Sequence, residues 1–370
     1  MIRKLGSWLL VIPSVVVAIL LVELLCRVFS LTPQNAESRL LERIFFLDGR
    51  GAIFENHDGI FTYLPHNDVR ILTAFFSEHG FSVEYDYRIH SNNFGLVQDA
   101  DIAQGRPSLL LLGDSFTEGL GAEPWFRRIS PDIEKQGYQP INGGLRGAGF
   151  QHWLKLQQLL AASDIQLKKL AVVFISDDYQ RPLSEIKSQE LQCLAALADC
   201  PFGESYCFRL PPPAELAASV DKIRMARAPM VGGQSWLGAH AEKLLPASYR
   251  AYKVLKDRLR RPGSDPRLAA AEAQSRAVIA ELLAKYGRDN IVFIHIPQKN
   301  ETASGGPIGL GLTARRAIQE AGGKLVDGFK LCGLTPADYY RNDDHPNATG
   351  YAKIAACTGN AINDLLAGTR

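Results

Sequence analysis

The sequence lacks a strong charge of either sign. Its 370 residues include 41 lysines and arginines and 39 aspartates and glutamates, which gives a formal net charge of +2. It also lacks a basic run interleaved with aromatic residues, and the arginines at 258–261 are typical of a solvated helix end. We therefore expect no nucleic-acid partner.

Signatures of metal or cofactor binding are also missing. The cysteines between 193 and 207 are seven residues apart and contain no close Cys-x-x-Cys pair. The glycine-rich stretch 305–311 matches neither a phosphate-binding loop nor a dinucleotide fingerprint. Asp343, Asp344 and His345 could ligate a cation, but a histidine close to an acidic residue fits a base with its orienting acid better. The sequence therefore predicts no metal and no cofactor.

Residues 1–32 differ in character from the rest of the chain. Arg3 and Lys4 precede the uncharged run 6–22, which as a helix would span about 26 Å, close to the hydrocarbon thickness of a bilayer. No small-x-small cleavage site follows the run, so a retained signal anchor is favoured over a cleaved signal peptide. The basic N-terminus predicts an N-in orientation in the inner (cytoplasmic) membrane, with the rest of the chain extracytoplasmic or periplasmic.

The cysteines fit this expectation, since some of the six would pair in an oxidising compartment. A bridge between Cys332 and Cys357 would enclose the segment around His345. A pair among the three cysteines at 193, 200 and 207 would leave one thiol over. The sequence alone does not fix which cysteines pair.

Alternating strand and helix patterns begin at residue 108. Strands are predicted at 108–112, 138–142, 169–175, 290–296 and 324–328, and helices at 122–136, 148–162, 267–287, 312–322 and 347–366. This alternation predicts an α/β domain over 108–370 with a parallel sheet and helices on both faces. Residues 33–107 are predicted to be an extension with a juxtamembrane helix, irregular structure and a strand near 84–89. Residues 180–265 are interpreted as a helical insertion near the site, a lid or a substrate-binding element.

The stretch from Leu109 to Ser115 carries the clearest chemical signal. Four leucines end in Gly113-Asp114-Ser115, as expected for a buried parallel strand that breaks into a turn where open α/β sheets bind their ligands. Near the far end of the chain, Asp343 and His345 supply the acid and base that a serine nucleophile requires. His345 is preferred to His295, which ends a predicted strand but has no neighbouring acid.

These two blocks resemble those of the SGNH/GDSL hydrolase family, and the likeness extends from about residue 85 to the C-terminus. The resemblance implies a flavodoxin-like three-layer α/β/α sandwich with strand order 2-1-3-4-5. It also implies that Ser115 is the nucleophile, His345 the base and Asp343 the acid that orients it. Many family members have an aspartate where Asn342 stands, and Asp343 matches an alternative pattern, Asp-x-His-Pro-Asn. The stretch 91–95 either resembles a block that precedes such domains or is a simple turn.

The resemblance further implies an oxyanion hole formed by the amides of Ser115 and Gly144, with a third donor at Asp177. The family has an asparagine at this third position, and an ionised carboxylate cannot donate a hydrogen bond. Three explanations stay open: Asp177 is protonated, the donor comes from Asn142 or the insertion, or the site is weakened. Three residues are expected to support the site: Asp114, Asn142 and Asp178.

The expected function is serine-dependent hydrolysis or transfer of acyl esters, with acetyl the favoured group. Because of the predicted anchor, an extracytoplasmic glycan or another ester on an envelope polymer is the expected substrate. The alternative is a catalytically weakened SGNH-fold protein that binds glycans or assists assembly in the cell envelope. Hydrolase and transferase use the same triad, so the sequence does not separate them.

Overall fold

The computed structural model describes residues 17, 20–25, 42–48, 55–77, 80–183, 207–231, 266–307 and 309–368. The chain divides into two compact units, one of residues 1–42, 76–80 and 214–264, the other of 43–75, 81–213 and 265–370. All predicted catalytic residues belong to the second unit. Within the described ranges no helix combines the length and the apolar character needed to cross a membrane. Apart from residues 17 and 20–25, the predicted anchor lies outside these ranges.

Strands make up the regular structure described between residues 42 and 113, and helices join them from residue 115 onward. In chain order, the strands are β1 Glu42–Asp48, β2 Glu55–His57, β3 Ile60–Thr62, β4 Asp68–Ser77, β5 Gly80–His90, β6 Pro107–Gly113, β7 Gln139–Gly144, β8 Gln166–Phe174, β9 Cys207–Arg209, β10 Ile291–His295 and β11 Lys324–Asp327. The α-helices are α1 Ser115–Glu118, α2 Phe126–Lys135, α3 Phe150–Ala162, α4 Leu216–Val231, α5 Pro266–Tyr286, α6 Lys299–Ser304, α7 Leu310–Glu320, α8 Gly328–Leu331 and α9 Ala348–Ala367.

The central sheet contains five parallel strands in the order β11-β10-β8-β6-β7. When these five strands are numbered 1 to 5 along the chain and the order is read from β7, it is 2-1-3-4-5. This confirms the flavodoxin-like expectation. The five strands predicted from residue 108 onward are all present, and the five predicted helices correspond to α2, α3, α5, α7 and α9.

The continuous apolar run in β6 follows from burial on both faces of the sheet. Leu110 and Leu112 face a core that also contains residues of α3, α5 and α7. Leu109 and Leu111 face the opposite core, which contains residues of α2 and α9. All four leucines are fully buried. A strand covered by helices on both sides needs no polar alternation, and the result is the expected three-layer sandwich.

The region before residue 108 differs from the prediction. Its described part is rich in strands rather than in helix and irregular structure: β2 pairs with β3, and a second sheet has the order β5-β4-β1-β9. The strand predicted near 84–89 is present and extends over all of β5. Strand β9 comes from the insertion and runs parallel to β1, with Phe45 opposite Cys207. Two segments that are distant in sequence therefore build one sheet.

The insertion is described over 207–231 and at its first few residues, where it holds β9 and α4 rather than helix alone. A disulfide bond joins Cys332, next to α8, to Cys357 in α9. This bridge encloses the segment around His345 and is one of the pairings that the sequence left open. Cys193 and Cys200 lie outside the described residues, so their pairing stays a prediction.

Candidate active site

The turn after β6 presents Ser115 at the carboxyl edge of the central sheet. Asp114 is the N-cap of α1, and its Oδ1 accepts a hydrogen bond from the Phe116 amide at 2.8 Å. Ser115 keeps 7% of its surface exposed. A short side chain fixed at this edge lies where open α/β sheets bind their ligands.

Ser115, His345 and Asp343 form one continuous chain of contacts. Ser115 Oγ lies 2.8 Å from His345 Nε2, and His345 Nδ1 lies 2.6 Å from Asp343 Oδ1. The His345 amide also donates to Asp343 Oδ1 at 3.2 Å. Both side-chain distances fall within the range expected of a nucleophile, its base and an orienting acid. Asp344, the neighbouring carboxylate, is exposed.

The segment that carries His345 is closed on itself and attached to its neighbours. The Tyr340 amide donates to the His345 carbonyl at 3.0 Å, and the Asn347 amide donates to the Asp338 carbonyl at 2.9 Å. Asn347 is also the N-cap of α9. Lys299 Nζ, from α6, donates to the Tyr340 carbonyl at 2.6 Å. These contacts hold the imidazole within reach of Ser115.

Strand β5 supports the same segment through two adjacent residues that were not predicted as site residues. The Tyr85 hydroxyl donates to Asp343 Oδ2 at 2.8 Å. Burial and the nearby Asp343 charge raise the pKa of Tyr85, so the hydroxyl stays protonated and can donate. The Glu84 carboxylate accepts from the Asn342 amide at 3.0 Å and from Asn342 Nδ2 at 2.6 Å. Asn342 therefore anchors the segment, and Asp343 is the acid next to the imidazole.

Asp114 and Asp178, both predicted as supporting residues, share one cation. Arg181 Nη1 lies 3.0 Å from Asp114 Oδ2 and 2.8 Å from Asp178 Oδ1. Burial and the charge of Asp114 raise the pKa of Asp178. Burial would lower the pKa of Arg181, but its two carboxylate neighbours outweigh this effect and raise it. Asp114 Oδ2 also lies 3.4 Å from Ser115 Oγ. Arg181, which lies at the start of the insertion, was not predicted as a site residue.

Gly144 and Asn142 do not have the roles expected in an oxyanion hole. The Gly144 amide donates to Asn142 Oδ1 at 3.1 Å, while Asn142 Nδ2 donates to the Val97 carbonyl at 2.8 Å. Both groups are thus already hydrogen-bonded, and Asn142 is fully buried. A Cβ atom at position 144 would lie 2.1 Å from the Glu118 amide nitrogen, so glycine here permits close packing of β7 against α1. The assignment of Gly144 as an oxyanion donor is corrected accordingly.

Asp177 is exposed and accepts a hydrogen bond on Oδ2 from Gln298 Nε2 at 2.8 Å. An acceptor role suits a carboxylate, which has no proton to give to an oxyanion. This contact does not favour the use of Asp177 as the third donor. Asp177 therefore does not supply the amide donor that the resemblance implies at this position.

Gly147 is a better candidate donor that the sequence analysis passed over. It is exposed, has a φ of +66°, and a Cβ there would meet nothing within 4 Å. Its amide and that of Ser115 bond to no residue within the described ranges. The loop around Gly147 is tied to the nucleophile turn, because the Leu145 amide donates to the Gly113 carbonyl at 3.0 Å. The signal in the sequence that could have identified this donor is a glycine just beyond the end of β7.

His295, the rejected alternative base, lies in a separate buried cluster. Its Nε2 is 3.1 Å from Ser176 Oγ, and its ring stacks on Phe174 with centroids 4.5 Å apart. Burial, followed by the charge of Arg315, lowers the pKa of His295 to about 3. Ser176 Oγ also donates to Glu301 at 2.6 Å, so in this cluster the serine links the histidine to the glutamate. No group of three or more His, Cys, Asp or Glu side chains in the described part of the chain could hold a metal ion.

A serine, a histidine and an aspartate linked in this order at the edge of a doubly wound parallel sheet define a serine-nucleophile site of the kind used in acyl transfer. The glycine and aspartate before the serine and the late Asp-x-His block are the features by which the chain resembles SGNH/GDSL hydrolases.

No family model and no curated protein matches the sequence. Among solved structures, the chain is similar to AlinE4, an SGNH-hydrolase family esterase, with 14% identity, 71% of this chain and 98% of that chain covered, and a TM-score of 0.30. It is also similar to a lipolytic protein of the G-D-S-L family from Veillonella parvula, with 14% identity, coverages of 69% and 98%, and a TM-score of 0.32. For the salicylyl-acyltransferase SsfX3 of a tetracycline biosynthetic pathway, the identity is 12%, the coverages are 86% and 95%, and the TM-score is 0.28. Values this low transfer no activity, so the functional assignment depends on the geometry of the site.

Proposed function

We propose that the protein is a serine esterase or O-acyltransferase of the SGNH type that forms an acyl-enzyme at Ser115. The observation that carries the proposal is the pair of contacts at 2.8 Å and 2.6 Å that link Ser115, His345 and Asp343. An aliphatic hydroxyl is a poor nucleophile until a base takes its proton, and this arrangement supplies the base and fixes its tautomer.

In the proposed reaction, Ser115 Oγ attacks the ester carbonyl carbon while His345 Nε2 takes the hydroxyl proton. Asp343 accepts from Nδ1 and stabilises the imidazolium. The tetrahedral intermediate then expels the alcohol, which receives the proton from His345, and the acyl group stays on Ser115. Water or a second hydroxyl, deprotonated by His345, attacks the acyl-enzyme and regenerates the serine. Hydrolysis and transfer differ only in this last acceptor.

The oxyanion of each tetrahedral intermediate requires donors that are in place beforehand. We assign the backbone amides of Ser115 and Gly147 to this role, since neither bonds to a described residue. Removing one such donor typically lowers kcat by about 10²–10³. An enzyme that lacks the third side-chain donor is therefore expected to be slower than one that has it.

Acetyl esters on an extracytoplasmic glycan or envelope polymer are the proposed substrates, with the N-terminal apolar run as the membrane anchor. The Cys332–Cys357 disulfide supports an oxidising compartment. The charged residues before the apolar run support an extracytoplasmic catalytic part.

The test is fluorophosphonate labelling of the full chain in detergent. Labelling should disappear in Ser115→Ala and fall by several orders of magnitude in His345→Ala, because the first variant lacks the nucleophile and the second lacks its base. Ser130→Ala and His90→Ala, which change a serine and a histidine outside the site, should label like the wild type. A folded wild-type protein that takes no label would contradict the proposal.

Asp177 favours a second candidate function, a non-catalytic protein that binds glycans or assists envelope assembly. Its carboxylate accepts from Gln298 where a hydrolase of this type would need a donor. Such a protein would bind acetylated glycan equally well as wild type and as Ser115→Ala, and neither form would release acetate.

A further inference from the structure

The triad aspartate is in contact with a strand that precedes the α/β domain in sequence. The Tyr85 hydroxyl in β5 lies 2.8 Å from Asp343 Oδ2, and each of the two residues keeps only 4% of its surface exposed. The Tyr85 ring contacts two others, with centroid distances of 5.0 Å to Tyr340 and 5.9 Å to Tyr87. The hydroxyl is therefore held in place by packing.

The two oxygens of Asp343 have different partners. Oδ1 accepts from Nδ1 and from the amide of His345, and Oδ2 accepts from Tyr85. Hydrogen bonds at both oxygens fix the rotation of the carboxylate plane, and this rotation sets the direction from which the imidazole is held. A hydrogen bond to a buried charge is also among the stronger ones in a protein.

We propose that Tyr85 is a positioning residue of the catalytic triad, acting on His345 through Asp343. The inference rests on the proposed serine-nucleophile function. It makes β5, and with it the sheet of β5, β4, β1 and β9, part of the active-site support. The region before residue 108 is then more than an extension that precedes the α/β domain. Without the Tyr85 hydroxyl, the carboxylate rotates more freely and the imidazole spends less time in line with Ser115 Oγ.

A separate contact makes this idea testable without loss of the fold. Glu84, the residue before Tyr85, holds the amide and side chain of Asn342, so the catalytic segment stays attached to β5 when the Tyr85 hydroxyl alone is removed. Tyr87 provides a matched control. It is a buried tyrosine two residues along the same strand, and its hydroxyl accepts from Arg146 Nη2 at 3.1 Å.

The experiment measures the rate constant of fluorophosphonate labelling and the melting temperature for the full chain and four variants: Tyr85→Phe, Tyr87→Phe, Asp343→Ala and the double variant Tyr85→Phe/Asp343→Ala. We expect Tyr85→Phe to label about tenfold more slowly, which corresponds to about 1.4 kcal/mol. Tyr87→Phe should stay within about twofold of the wild type, since one hydroxyl is lost in each case but only Tyr85 contacts the triad. The two melting temperatures should be similar.

The double variant separates positioning from a structural effect. If Tyr85 acts through Asp343, removing its hydroxyl changes nothing further once Asp343 is alanine, so the two effects are not additive. A Tyr85→Phe protein that labels as fast as the wild type, or loses the same factor in the Asp343→Ala background, would overturn the inference. If the wild type does not label, the proposed function itself fails, and that result is distinct from the other two.

Discussion

Replacement of Arg181 by glutamine should destabilise the protein, because it leaves Asp114 and Asp178 buried without their shared cation. The guanidinium lies 3.0 Å and 2.8 Å from the two carboxylates, which are 1% and 0% exposed. Removing one partner of a buried ion pair typically costs about 3–5 kcal/mol. The Arg181 side chain keeps 25% of its surface exposed, so we expect the lower end, about 3 kcal/mol.

A second substitution should recover part of this loss. Burial and then the charge of Asp114 raise the pKa of Asp178, so the charged form of this carboxyl is disfavoured in the folded protein. The amide oxygen that Asp178→Asn introduces would still accept from the Ile175 amide. Arg181→Gln/Asp178→Asn should therefore be more stable than Arg181→Gln alone. A carboxyl with a raised folded-state pKa binds its proton more tightly when folded, so its stability contribution is present at low pH and lost as the pH rises. The defect of Arg181→Gln should accordingly shrink on acidification.

Urea unfolding of the full chain in detergent measures these effects as shifts of the midpoint at constant m. Asp114→Asn with Arg181 retained serves as a comparison, because it removes a charge but leaves the cation paired with Asp178. An Arg181→Gln protein that loses less than about 1 kcal/mol, or a double variant that is no more stable than Arg181→Gln, would contradict this prediction.

Three further predictions concern the disulfide, the β5 contact and a buried histidine. Replacing Cys332 and Cys357 by serine should cost about 2–4 kcal/mol in chemical or thermal unfolding, and a reductant should then have no additional effect through this bridge. Asn342→Asp sets two carboxylates at the 2.6 Å contact with Glu84, so labelling should slow and the melting temperature should fall, while adding Glu84→Gln should restore both; no recovery would contradict the contact. Burial lowers the pKa of His295 to about 3, so the contribution of the neutral His295 to the free energy of unfolding should be fully present above pH 6.5 and decline as the pH falls from 6.5 toward 3. In urea unfolding at several pH values, His295→Gln should reduce this pH dependence.

The central sheet and the triad were predictable because their signals are local. Four consecutive leucines followed by Gly113 describe a buried strand and its end within a few residues. Ser115 and His345 each lie in a short block whose residue types match the chemistry required. The parallel direction of the strands followed from the alternation of strands and helices. The strand order was implied by the resemblance to SGNH/GDSL hydrolases.

Other parts depended on distant partners or on backbone geometry. Strand β1 pairs with β9, and neither segment indicates this on its own. Gly144 and Gly147 look alike in the sequence, whereas in the structure the Gly144 amide bonds to Asn142 and Gly147 has a positive φ. Tyr85 could be placed in a strand by its alternation, but its contact with Asp343 depends on how β5 lies against the loop that carries His345, 258 residues away in sequence.

The sequence separation of the triad has a consequence for the timing of synthesis. Ser115 precedes its base by 230 residues, and Tyr85 precedes Asp343 by 258. At an elongation rate of about 5–20 residues per second, a ribosome makes the serine roughly 10–50 s before the histidine. The nascent chain therefore carries an inert hydroxyl while β6, β7 and β8 are able to pair, and chemistry begins only when the last segments dock. A precursor in which Ser115 has not yet met His345 would not react with the acylated molecules that it encounters.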